Sequence, residues 1–153
     1  MSGSARLWTA DPQAITGDAS GGNPFPLAWT ALRFSGFRWD TGGHWSASLP
    51  TRLTLPTAGH RTVGGAIQVS GGGNGLLYLG LRLNGATWIC ARSICTGPWT
   101  PVQAGLTVDT DWLFAAGDYL EMLASGYAGF NGVTILPVVA YSAELWSVVA
   151  DSP

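Results

Sequence analysis

Apolar side chains recur at every second position through much of this chain. Leu53 and Leu55 alternate with Arg52 and Thr54, and Leu77, Leu79, Leu81 and Leu83 alternate with Tyr78, Gly80 and Arg82. A period of two belongs to a β-strand with one buried face. Pro56-Thr57-Ala58-Gly59 interrupts the first run, residues 62–70 resume as strand, and Gly71-Gly72-Gly73-Asn74-Gly75 interrupts again. The pattern predicts strands folding back antiparallel at each interruption, with the glycine run as a hairpin turn. Asn84-Gly85 suits the two positive φ angles of a type I′ turn and predicts a hairpin into a returning strand over residues 86–93.

Further strands are expected on both sides of this block. Residues 29–39 are aromatic and branched, with Gly36 as a candidate bulge, and Asp40-Thr41-Gly42-Gly43 reads as the turn that follows. Residues 104–108 and 111–115 read as two short strands or one bent one, Gly117-Asp118 as a corner, and 119–125 as a strand. The strand over 133–141 tolerates Pro137 only at an edge or bulge, and 143–149 is the last strand. Eight to ten short strands with no helical period predict an all-β jelly-roll sandwich.

Residues 1–28 differ from the rest. Three prolines and scattered glycines leave neither period, so they read as an extended N-terminal arm ahead of a jelly-roll domain over 29–153. Leu7, Trp8, Ile15 and Phe25 are spaced hydrophobes that would be wasted in solvent, which points to a partner surface. The alternatives are a disordered leader or a segment packed on its own domain.

Composition narrows the classes. The 153 residues suit one domain with a real core, and 46% hydrophobic residues against only 10% charged leave little charge for a monomer's surface. Eight Trp exceed what one small core readily encloses, so some apolar surface is expected to meet identical copies; a Trp-rich monomer core is the alternative. With a net charge of −2 and its seven basic residues, all Arg, scattered from Arg6 to Arg92, the chain has no basic stripe for nucleic acid. No apolar run approaches a membrane span, and the first residues lack a signal-peptide pattern, so a soluble protein made in a cytoplasm is expected.

Candidate chemistry is thin. On one strand Cys90 and Cys95 would stand about 16 Å apart, too far for a disulfide, so they read as free thiols unless a turn intervenes. Two Cys and two His at unrelated spacing predict no metal site. His44 and His60 follow turns without a nucleophile in a recognisable elbow, and read as exposed or locally hydrogen-bonded. Asp109 and Asp111 share a face of a regular strand, where an ordinary solvated edge is favoured over a carboxylate pair or calcium site. No catalytic residues, no cofactor and no enzyme activity are expected.

An ordered set of motifs carries a further reading: an aromatic strand ending in Trp39-Asp40, Leu53-Thr54-Leu55-Pro56 with Ala58-Gly59 at the corner, Leu81-Arg82-Leu83-Asn84-Gly85, and Ala116-Gly117-Asp118-Tyr119-Leu120-Glu121. Across residues 29–149 this order resembles the jelly roll of the complement C1q and tumour-necrosis-factor-like group, particularly the versions in phage virion proteins. One departure is that His60 and Arg61 stand where that group usually places an aromatic. The resemblance implies a homotrimer. It supports the expectation of a structural virion protein of a tailed bacteriophage, a decoration protein cementing the capsid surface by binding the major capsid protein. The expected arm contacts are Arg6, Trp8, Ile15 and Phe25, with three weak attachments on one trimer adding through effective concentration. The alternative function is a receptor- or carbohydrate-binding head of a tail fibre, with Trp45 or Trp99 stacking on a sugar ring.

Overall fold

The computed structural model describes residues 3–9, 11–15, 17–18, 28–70, 75–96, 103–127, 133–135 and 143–149. Among them are thirteen strands and no helix. In chain order these are β1 (Ala5–Thr9), β2 (Ala14–Ile15), β3 (Gly17–Asp18), β4 (Thr30–Ala31), β5 (Gly36–Asp40), β6 (Arg52–Thr54) and β7 (Gly59–Ser70). The rest are β8 (Gly75–Leu83), β9 (Thr87–Thr96), β10 (Gln103–Phe114), β11 (Tyr119–Tyr127), β12 (Val133–Ile135) and β13 (Ala143–Val149).

Two sheets pack face to face. In the first, β7 is the spine: β10 pairs along one side, β13 and β12 share the other, and β1 lies between β13 and β5. In the second, β11 is the spine: β8 and then β9 lie on one side, while β6, β4 and β3 share the other. Every pairing is antiparallel except the short β3–β11 contact. The all-β jelly-roll expectation holds.

The alternating leucines do what their period predicts. Leu53, Leu55, Leu77, Leu79 and Leu81 have no exposed surface and join Leu7, Val63, Leu120, Met122 and Leu145 in one core between the sheets. Gly64 and Gly65 serve opposite faces of β7. A Cβ at Gly65 would collide with Met122 reaching across from β11, and one at Gly64 would collide with the Trp146 ring on the outside. The Asn84-Gly85 turn is also as expected: φ is 52° and 71°, and Ala86 N–H donates to the Leu83 carbonyl at 3.0 Å.

Several expectations need correction. The Pro-Ala-Gly corner is not a hairpin: β6 pairs β11 in the second sheet and β7 lies in the first, so the corner carries the chain across the sandwich. Residues 71–74 of the glycine run, expected as a hairpin turn, lie outside the described residues; β7 before them and β8 after them are in different sheets and do not pair as a hairpin. Period-two alternation identifies a strand's buried face but not which sheet it joins. Of the two readings for residues 104–115, the single strand is the observed one, spanning Gln103–Phe114 with each residue opposing one of β7. The bulge falls at Arg38, which lies between the partners of Arg6 and Leu7, and not at Gly36. Pro137 lies outside the described residues.

The expected arm boundary at residue 28 does not coincide with the sheet. Residues 5–9 are a strand paired on both sides, to β13 and to β5, and Ala5, Leu7 and Thr9 are fully buried. Ile15 is buried and its strand pairs β12. The reason is periodicity: Ala5, Leu7 and Thr9 alternate inward against Arg6 and Trp8, a run too short to stand out beside the prolines that follow. The alternative of a segment packed on its own domain is what these residues adopt.

Candidate functional site

The outer face of the first sheet is built by register. Asp109, Gly64, Trp146, Arg6 and Trp39 oppose one another in one row across β10, β7, β13, β1 and β5. Directly opposed residues of antiparallel neighbours point to the same face. The Arg6 guanidinium carbon stands 5.6 Å from the ring centroids of both Trp39 and Trp146, so the cation is flanked by two indoles. Arg6 also donates to Glu144, and Arg38 Nε lies 3.6 Å from the same carboxylate. Glu144 is 7% exposed, an acid buried under two arginines.

Around this stack the face is open and mixes exposed apolar side chains with Asp109, Asp111 and His60. Val148 opposes Thr62, which opposes Asp111, and Leu113, two residues beyond Asp111, projects the same way. Leu113, Val148 and Trp39 are 62%, 45% and 39% exposed. Trp8 lies on the same face over Gly36. Arg6 and Trp8 therefore share the outer sheet face, whereas Ile15 sits in the core, so the three do not form one projecting contact. Phe25 and Trp99 lie outside the described residues.

Two buried polar groups escaped the sequence reading. Asp40, at the end of β5, accepts from the backbone N–H of Gly42, His44 and Trp45 at 3.2, 2.9 and 3.0 Å and hydrogen-bonds His44 Nδ1 at 2.8 Å. Burial acts to raise the Asp40 pKa, but the hydrogen bonds from His44, Trp45 and Gly42 outweigh it and hold the pKa at about 2. His44 is 1% exposed, and Gly3 and Gly42 lie so close that a Cβ on either would meet its Cε1 at 2.7 and 2.5 Å. The locally hydrogen-bonded reading of His44 is the observed one; His60 is exposed. Asp40 followed closely by glycines was the available signal, since Asp favours such side-chain-closed turns.

Arg61 is the second. It occupies an inward position of β7 with 1% exposure, donating to the Gly3 carbonyl at 2.6 Å and the Thr57 hydroxyl at 2.8 Å. Burial lowers its pKa. Continuing the inward phase of Val63, Ile67 and Val69 back along β7 would have marked it.

Trp45 is half-buried, meets Phe37 edge-on at 6.1 Å and lines a cleft of about 440 Å³ with Asp11, Gln13, Arg33, Ser35 and Pro50. Cys90 is a free thiol, and Cys95 follows on the same strand. Asp109 and Asp111 are exposed on edge strand β10, a solvated edge as favoured, while Glu121 lies in the other sheet between Arg52 and Arg82. Among the described residues no three His, Cys, Asp or Glu are placed to hold a metal.

The two-spine sandwich, with an N-terminal strand inserted beside the C-terminal one, defines a C1q-like jelly roll. The globular domain of zebrafish complement 1qA protein superposes with a TM-score of 0.56 over 98% of both chains, at 13% identity. That likeness is one of fold. No family model and no curated protein matches the sequence.

Proposed function

We propose that this chain is a structural virion protein: a homotrimeric jelly roll that decorates and stabilises the outer surface of a tailed-phage head by binding the major capsid protein. The observation that carries the trimer is the outer face of the first sheet, where exposed Val148 and Leu113 share the face with the Trp39–Arg6–Trp146 stack, whose Trp39 is itself exposed. Covering such a face with identical copies removes apolar surface from water. In this reading Arg6 and Trp8 belong to the subunit contact, Ile15 to the core, and the segment around Phe25 to the capsid contact. Three such segments on a rigid trimer act through effective concentration, so individually weak attachments hold durably. The mechanism is association without turnover, with no cofactor and no catalytic residue.

The test is mass measurement of the purified protein followed by co-sedimentation with bare capsids. A trimer that sediments with capsids is expected. Single chains across the micromolar range would remove the assembly reading, and trimers that stay in the supernatant would remove the capsid reading.

A further inference from the structure

We propose that the cleft bounded by residues 11–13, 33–35 and 45–50 binds one pyranose ring of a neutral saccharide. Its walls are tied to each other. The Gln13 side-chain amide donates to the Arg33 carbonyl and accepts from the Arg33 N–H, both at 2.7 Å. Ser35 Oγ donates to Asp11 Oδ2 and lies 2.8 Å from Thr9 Oγ1, while Phe34 N–H donates to the Pro50 carbonyl at 2.8 Å. These bonds hold the cleft in shape before any ligand enters, which lowers the ordering cost of binding.

The bonds that shape the walls leave a usable set of groups. Asp11 Oδ1 and the exposed Arg33 guanidinium carry no hydrogen bond among the described residues, and half-buried Trp45 lines the cleft with ring surface only, its indole N–H being buried. A carboxylate oxygen accepts from hydroxyls, a guanidinium donates to them, and an indole face takes the C–H face of a sugar ring. A pyranose presents these features together: an apolar face edged by hydroxyls that both donate and accept. One carboxylate and one guanidinium leave the lining without net charge, which favours a neutral ring over an acidic sugar. The volume of about 440 Å³ lies in the range of small-ligand sites. The inference does not rest on the capsid reading, and capsid co-sedimentation does not bear on it.

The experiment is saturation-transfer NMR of the full chain against a panel of neutral methyl pyranosides, with methyl glucuronoside as the acidic comparison. A neutral glycoside is expected to bind with a dissociation constant on the order of millimolar. Arg33→Ala and Asp11→Ala, both at exposed positions, should each weaken it by roughly tenfold, the loss of about one charge-assisted hydrogen bond. Asp109→Ala, on the far edge strand, should leave it unchanged. If either cleft variant perturbs the near-UV spectrum, the other decides. No binding by any neutral glycoside at about 50 mM, well above the millimolar expectation, binding that survives loss of Arg33 and Asp11, or preference for the glucuronoside would each overturn the proposal.

Discussion

Replacing Leu7 by Ala truncates a side chain with no exposed surface, set opposite Leu145 on one side and Phe37 on the other. Buried Leu→Ala changes cost about 2–5 kcal/mol, and the upper half of that range applies where neighbours cannot collapse into the cavity. Leu7 belongs to a strand held on both sides, so its surroundings have little room to move. With a urea dependence of about 1–3 kcal/mol per molar, a loss of about 3.5–5 kcal/mol should lower the midpoint by roughly 1–5 M. Deleting residues 1–9 goes further. It removes Ala5 and Leu7 from the core, both ladders of β1, the Gly3 carbonyl that Arg61 needs, and the Ser4–Thr41 hydrogen bonds. Their sum reaches the whole stability of a typical domain, about 5–15 kcal/mol, so the deletion should not fold. Tryptophan fluorescence in urea and near-UV circular dichroism provide the assay. A deletion variant with an unchanged spectrum and midpoint would refute the placement of this strand in the body and restore the free arm.

Three further outcomes follow from the geometry. Because the Asp40 pKa is about 2 in the fold against 3.8 unfolded, its stabilisation is complete above about pH 5 and is lost as pH falls through 3.8 to below about 2. Asp40→Asn should cost about 2 kcal/mol at neutral pH and flatten that acid limb in urea titrations at stepped pH. Gly64→Ala should destabilise by about 1–3 kcal/mol by forcing the Trp146 ring off β7, and Trp146→Ala in the same chain should restore part of the loss, as a double-mutant cycle will show. If the subunits assemble as proposed, Leu113→Asp, at a 62% exposed position, should leave monomer folding intact yet shift sedimentation from trimer to single chains. An unchanged trimer would take this residue out of the subunit contact.

Much of the fold was readable from the residues because strand character is local. Leu77, Leu79, Leu81 and Leu83 declare a strand through side-chain alternation alone, and Asn84-Gly85 declares a turn through its φ requirements. Of the candidate site, Trp45 was readable as an aromatic beside a turn, but its cleft was not, since Asp11 and Arg33 come from distant parts of the chain.

What the chain determines unaided is therefore its period, its turns and its all-β class, each set by interactions among residues a few positions apart. Tertiary structure alone decided that the Pro-Ala-Gly corner crosses between sheets, that β7 and β8 belong to different sheets and that the first strand is internal. It also decided that Arg6 stands between Trp39 and Trp146. Those outcomes depend on which strand edges pair and which faces meet, and pairing energy is shared among partners far apart in sequence.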